Sequence, residues 1–178
     1  MTASFIPPKR ILMGPGPSDV PQRVLDAMAR PTIGHLDPAF VDLMEQIKAM
    51  LRMAFRTQNA LTFPVSAPGS AGMEMCFVNL IEPGDKVIVC RNGVFGGRML
   101  ENAIRCGGNP VLVEDKWGEP VDPQKLDDAL KKNKDAKVVG FVHAETSPGA
   151  QSDAKLLTQI AHKHGALERV MAFYRGLP

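Results

Sequence analysis

Three short segments combine small residues, hydroxyls and carboxylates in the way that an anion- or cofactor-binding site requires. The first is Val65-Ser66-Ala67-Pro68-Gly69-Ser70-Ala71-Gly72-Met73-Glu74. Small side chains let an anion reach the backbone. If a helix begins here, the N–H groups of Gly69, Ser70 and Ala71 have no intrahelical acceptor and, with the helix dipole, form a phosphate cradle. The segment lacks the Gly-Lys-Ser/Thr ending of a P-loop and the spacing of a dinucleotide fingerprint. A plain turn and helix cap would use the same residue types. The second segment is Cys90-Arg91-Asn92-Gly93-Val94-Phe95-Gly96-Gly97-Arg98, where a large ring sits among glycines just past an apolar run. Either the face of Phe95 meets something flat or the ring folds back onto the core. In the third, Val142-His143-Ala144-Glu145-Thr146-Ser147-Pro148-Gly149, a carboxylate and two hydroxyls follow an apolar run, either as site groups or as the stabilisers of a turn.

Other reactive side chains point to less. Cys76, Cys90 and Cys106 are widely spaced, lack C-x-x-C pairing and sit in apolar neighbourhoods, so they read as core residues of a reducing compartment. His162 and His164 are two apart on an expected helix and face apart, which excludes a metal pair between them and suits solvated groups near a helix C-terminus. His35 reads as a turn residue and Lys131-Lys132-Asn133-Lys134 as a solvated helix end. The 178 residues suffice for a domain with its own core. A net charge of +2 gives no bulk attraction to nucleic acid or membrane. No apolar run approaches the roughly 18–20 residues that span a bilayer, and the start lacks a secretory signal's apolar stretch, so the expected compartment is the cytoplasm.

The elements that must position these segments alternate. A Pro-rich arm occupies residues 1–20 and excludes regular structure. Ser18 or Asp19 can cap a short helix with Pro21 in its first turn. Asp37-Pro38 opens a longer helix whose Phe40, Leu43, Ile47, Met50, Leu51 and Ala54 form a helical stripe expected to be buried. Strands are expected at residues 60–66, 86–90, 110–113 and 137–142, with helices at 70–81, 96–106, 122–132 and 152–164 between and after them. Apolar strands alternating with helices over short connections predict an α/β fold, mainly a parallel sheet with helices on both faces.

In this order the motifs resemble the class V pyridoxal-phosphate (PLP) aminotransferases of the alanine–glyoxylate, serine–glyoxylate and serine–pyruvate group, which have PLP fold type I. The residues carrying the resemblance are Leu12-Met13-Gly14-Pro15-Gly16-Pro17-Ser18, Ile33-Gly34-His35-Leu36-Asp37-Pro38-Ala39-Phe40, residues 66–74 with Asn79-Leu80-Ile81-Glu82-Pro83-Gly84-Asp85, and the second and third segments above. The match runs from about residue 10 to about residue 165. It implies that Pro68, Gly69, Ser70 and Ala71 hold the cofactor phosphate, that Phe95 stacks on the pyridine ring, that Thr146 approaches the ring's polar edge and that Gly16 lines the substrate pocket. It implies transfer of an amino group from alanine or serine to glyoxylate or another 2-oxo acid, small-molecule substrates, a homodimer, and no nucleic-acid or membrane partner. Ala67-Pro68 replaces a more usual Gly-Ser or Gly-Thr and Pro148 a common Thr. Pro68 offers neither N–H nor hydroxyl to a phosphate.

The resemblance divides the chain into an arm (1–20), a partial PLP-binding large domain (21–165) and an off-family tail (166–178), with no small C-terminal domain. The family's cofactor-bearing lysine and pyridine-facing aspartate have no counterpart: no Asp follows Asp153, and Lys155 and Lys163 lie on an expected surface helix. The expectation is a fragment that does not transaminate alone, whose sheet lacks the strand that should follow residue 165 and so keeps an unpaired edge, the tail covering the gap at most in part, as a helix. The alternatives are a non-catalytic PLP-fold subunit and an unrelated anion-binding α/β domain.

Overall fold

In the computed structural model, residues 4–14 and 16–165 and the backbone of 170–173 are described. The chain divides into two compact units, residues 1–64 and 65–178. The first holds the irregular arm and two helices, α1 (Gln22–Met28) and α2 (Pro38–Ala54). Pro21, rather than Ser18 or Asp19, stands at the N-cap of α1, with no side-chain capping bond. Helix α2 begins where the sequence places it, the Asp37 carboxylate accepting from Ala39 N–H at 2.8 Å. Its apolar stripe, expected to be buried, is only half covered: Phe40, Ile47, Leu51 and Ala54 are half-buried, whereas Leu43 and Met50 are exposed. Periodicity fixes which residues share a face, but burial needs a neighbour to cover it.

The second unit is a layered α/β arrangement. In chain order it comprises α3 (Gly69–Leu80), β1 (Lys86–Arg91), α4 (Val94–Arg105), β2 (Asn109–Glu114), α5 (Pro123–Lys132), β3 (Ala136–Val142), the two-residue strands β4 (Ala144–Glu145) and β5 (Ala150–Gln151), α6 (Ala154–Lys163) and β6 (Val170–Phe173). The main sheet has the order β2-β1-β3-β6 with all neighbours parallel, and β4 and β5 form a small antiparallel pair. The expected strand at residues 60–66 is not formed. A strand exists through its pairing, Pro64 removes one donor, and the four-stranded order contains no place for that segment. The strand expected to be missing after residue 165 is supplied by β6, which pairs with β3, Val139 standing opposite Val170 and Val142 opposite Phe173. The helix expected of the tail is therefore a strand over 170–173; residues 166–169 and 174–178 lie outside the described residues.

Alternation along the strands builds two cores. Val87 and Val89 of β1 and Val138 and Val142 of β3 pack with Met73 and Phe77 of α3 and Met99 and Ala103 of α4. Ile88 and Cys90 with Val139 and Phe141 face the other way, onto Leu126 and Leu130 of α5 and Leu157 and Ala161 of α6. Strands buried on both faces read as continuous apolar runs, which is why β1 and β3 stand out in the sequence. Gly140 lies on the α3 and α4 face of β3, between Val138 and Val142, where an added Cβ would lie 3.5 Å from the Phe77 ring and 3.6 Å from Met99 Sδ.

Helices α5 and α6 are joined by a charge cluster. His164, expected to be solvated, is half-buried and its Nε2 lies 2.6 Å from the Asp127 carboxylate, which also pairs with Lys131 at 2.6 Å. The hydrogen bond from Lys131, then that from His164, holds the Asp127 pKa well below its ordinary 3.8, at about 2. A carboxylate whose folded pKa is depressed contributes stability above its unfolded pKa and loses it as pH falls through the folded value. Asp127→Asn is therefore expected to destabilise the protein by a constant amount above about pH 4, the difference from wild type shrinking toward pH 2; chemical denaturation across that range measures it. Burial, and secondarily the Asp115 charge, pushes the Cys90 thiol up to about 12. Cys90 is thus expected to resist alkylation at neutral pH in the folded chain and to react on denaturation, which mass spectrometry of labelled peptides checks.

Candidate functional site

Because β1 and β3 are adjacent and parallel, the segments leaving their carboxyl ends emerge side by side. This is where ligands bind in open α/β sheets. Here the second and third sequence segments meet. The Glu145 carboxylate is fully buried, and its Oε2 accepts from the backbone N–H of Phe95 at 2.9 Å and of Gly96 at 3.2 Å. Its Oε1 accepts from the Ser147 hydroxyl at 2.8 Å, and the Ser147 oxygen in turn accepts from Val94 N–H at 3.1 Å. Helix α4, expected from Gly96, therefore starts at Val94, because its first-turn donors are met by a distant loop. Gly93 allows this approach: a Cβ there would lie 2.4 Å from Glu145 Cγ and 2.8 Å from Ser147 Oγ. Asn92, also fully buried, donates through Nδ2 to the Glu119 carbonyl at 2.8 Å and so ties the same strand end to the loop before α5.

Helix α3 starts differently. Pro68 stands at its N-cap with no side-chain capping bond. The Ala71 N–H donates to the Pro68 carbonyl at 2.9 Å, so of the donors expected from the sequence it is Gly69 and Ser70, the first two residues of α3, whose N–H groups have no intrahelical acceptor. The Ser70 hydroxyl accepts from Arg98 Nη1 at 3.2 Å, and the same guanidinium lies 5.0 Å from the centre of the Phe95 ring. Arg98 thus links the α3 terminus to the ring at the α4 terminus. Phe95 itself is half-buried and packs against the core on that face of the sheet, so its ring is anchored as well as presented.

A comparison of helix N-termini separates the two. Asp37, Asp122 and Asp153 cap α2, α5 and α6, accepting from Ala39, Gln124 and Leu156, and Glu145 serves α4. Among the described helices of eight residues or more, α3 is the one without a carboxylate at its start. Its partial positive end is left for an external anion, and its donor set of Gly69 N–H, Ser70 N–H, Ser70 hydroxyl and the neighbouring guanidinium fits a phosphate ester.

The structure therefore brings together Ser70 and Phe95, and it holds Thr146, half-buried, between the two residues that bond to α4. Gly16 lies in the irregular arm of the first unit. Sequence reading placed Glu145 and Ser147 in the third segment and Gly93 and Arg98 in the second, but gave none of the four a role of its own. A signal was available for Glu145: a carboxylate three residues beyond a largely apolar strand has to find donors if it is buried. Among the described residues no cluster of His, Cys, Asp or Glu could hold a metal ion, and no helix is long and apolar enough to cross a membrane.

No family model matches the chain. It is similar to the (S)-ureidoglycine–glyoxylate transaminase of Bacillus subtilis, 38% identical over 160 residues that make up 90% of this chain and 38% of that protein. It is 35% identical to the alanine–glyoxylate aminotransferase of Mus musculus over the same shares of each. The crystal structure of an alanine–glyoxylate aminotransferase from Nostoc sp. superposes with a TM-score of 0.90 at 37% identity, covering 97% of this chain and 45% of that one. These relatives are thus glyoxylate aminotransferases, and the superposed structure has the class V PLP-dependent aminotransferase fold. The chain spans about two-fifths of the length of the curated relatives it matches.

The close packing at α4 yields a test. An added Cβ at Gly96 would sit 2.8 Å from Arg91 Cα and 2.9 Å from the Cys90 carbonyl oxygen, whereas at Gly97 the nearest atom is Arg91 Cδ at 4.0 Å. Gly96→Ala is expected to cost about 1–3 kcal/mol by forcing backbone apart, and Gly97→Ala to be neutral or stabilising by up to about 1 kcal/mol. Urea unfolding of the pair measures the contrast.

Proposed function

We propose that this chain forms the phosphate-binding and ring-facing part of a class V PLP-dependent aminotransferase that passes an amino group to glyoxylate or another 2-oxo acid. The observation that carries the reading is the uncapped, carboxylate-free start of α3 beside Ser70 and Arg98, in a chain whose relatives are glyoxylate aminotransferases. The cofactor, when bound, supplies an electron sink for the carbanion formed at the amino acid's α-carbon. The chain's residues bind and orient it. Gly69 and Ser70 hold the phosphate through backbone N–H groups and the Ser70 hydroxyl. Pro68 and Ala71 close the turn around it, and Ala71 N–H is retained internally. Phe95 offers its ring to the pyridine and Thr146 its hydroxyl to the ring's polar edge.

Arg98 has a place in this reading. Pro68 contributes neither N–H nor hydroxyl, so one donor is lost relative to the resembling family, and a guanidinium bonded to Ser70 adds positive charge beside the phosphate. By accepting from Arg98, the Ser70 oxygen leaves its own O–H directed to the anion. The lysine that carries the cofactor and the acidic group facing the pyridine nitrogen are assigned by the resemblance to the part of the relatives that this chain does not span. The complete reaction therefore belongs to the longer arrangement.

The test is a titration of the chain with pyridoxal 5′-phosphate and with pyridoxal, which lacks the phosphate. Binding is expected to depend on the phosphate and to weaken about tenfold or more in Gly69→Val, whose side chain blocks the backbone donors. Equal binding of the two compounds, or an unchanged affinity in Gly69→Val, would overturn the reading.

A further inference from the structure

The start of α4 is shaped by a residue some fifty positions away in the chain. Helix caps are ordinarily local, with a short polar side chain at the N-cap bonding two or three residues ahead, as Asp37, Asp122 and Asp153 do. At α4 that position is Gly93, and the space its side chain would fill holds the Glu145 carboxylate and the Ser147 hydroxyl. A local Asp or Ser at position 93 would serve the helix end as well. What it would not do is fasten Phe95 to the segment that carries Thr146.

We propose that Glu145 is a positioning residue: its buried carboxylate fixes the backbone at Phe95 and Gly96, holds the Phe95 ring and Thr146 in one register, and keeps the α4 terminus closed to anions. The inference rests on the reading of Phe95, Thr146 and the α3 terminus as faces of one cofactor site. Three observations carry it. The carboxylate has no exposed surface and accepts from Phe95 N–H itself, not merely from a neighbouring residue. Ser147 bonds both to the carboxylate and to Val94 N–H, so the residues on either side of Thr146 are fixed to the first three residues of α4. A negative charge already resident at α4 opposes a second anion there, which directs a phosphate to α3, the terminus that lacks one. Glu145 touches neither substrate nor cofactor in this arrangement; it acts through the backbone of the residue that does.

The experiment uses the whole chain and two probes, pyridoxamine 5′-phosphate, which has the ring and phosphate but no aldehyde to react with surface lysines, and inorganic phosphate. Glu145→Ala is expected to raise amide hydrogen exchange at Phe95 and Gly96 about tenfold or more, since charge-assisted bonds to a buried acceptor are lost. Exchange across the body of α3 should be unchanged. The same variant should weaken pyridoxamine 5′-phosphate about tenfold while inorganic phosphate binds at least as well as before, the vacated α4 terminus being open to it. Glu145→Gln, which keeps the acceptor oxygen, should restore most of both effects. Ser147→Ala, a milder change that serves if Glu145→Ala does not fold, should move the same readouts in the same direction. Unaltered exchange at Phe95 and Gly96 in Glu145→Ala and Ser147→Ala, or an equal loss of both probes, would overturn the proposal, the second outcome marking a merely structural role. If wild-type chain binds neither probe, the cofactor reading fails by itself, and the exchange measurement still decides whether Glu145 positions Phe95.

Discussion

A carboxylate without exposed surface must be surrounded by donors, because burying an ionised group unpaired costs more than a domain of this size can offset. In the second unit that requirement is met at one point, where Glu145 receives the first N–H groups of α4 and the hydroxyl of Ser147. The geometry of the sheet's carboxyl edge depends on it. It sets where α4 begins, makes glycine necessary at position 93, and brings the loop after β3 against the loop after β1. The two loops differ in sequence position by about fifty residues and share no local signal. Their contact is a product of the parallel pairing of β1 with β3, which puts both strand ends on one side.

The pairing in turn depends on two cores that the strands divide between them. Odd and even positions of β1 go to different helix layers, and a one-residue slip would exchange them. The register is therefore held from both faces, which gives the sheet edge the rigidity that a binding constellation needs. The polar ties at the other corners are of a lesser kind. Arg91 with Glu114 and Lys86 with Asp135 join exposed or half-exposed side chains, and such pairs contribute little in water. Asp115 and Asp85 are nearly buried and do more by accepting from backbone, Asp115 from Asp122 N–H and Asp85 from Glu82 N–H, so that each shapes a turn.

Much of this was legible beforehand because it is local. The apolar runs of β1 and β3, the start of α2 at Asp37-Pro38, and the parallel α/β class follow from residue type and spacing. What escaped was non-local. Residues 60–66 have strand composition but no partner in the sheet, so composition misled. The tail residues at 170–173 lie beyond the resemblance yet pair with β3, because an apolar strand with unpaired backbone accepts any extended segment of suitable register. His164 reads as a solvated helix end until α5 is placed beside α6 and Asp127 comes within reach. Glu145 was visible as a residue type but not as a pivot, since its donors are on another element. Serine and threonine neighbours drew attention to the hydroxyls, whereas the carboxylate organises them.

The distribution of negative charge over helix starts ties these strands of argument to function. A helix N-terminus in an unliganded fold is most simply stabilised by a carboxylate, and each of α2, α4, α5 and α6 has one. At α3 the sequence does the opposite. It puts proline at the cap, glycine and serine in the first turn and no acidic residue before Glu74, so the helix forgoes roughly 1 kcal/mol that an ordinary cap would supply. A helix left unstabilised at one end gains most from an anion that arrives there, and the guanidinium of Arg98 at Ser70 increases that gain. The same guanidinium lies over Phe95, whose backbone is held by Glu145, so charge for a phosphate and a surface for a ring come from residues three apart on one helix. An unspecialised anion site would need only the first of these. The coupling of the two through a single turn of α4 is the feature that suits a phosphorylated aromatic ligand, and it is built from contacts lying wholly within the second unit.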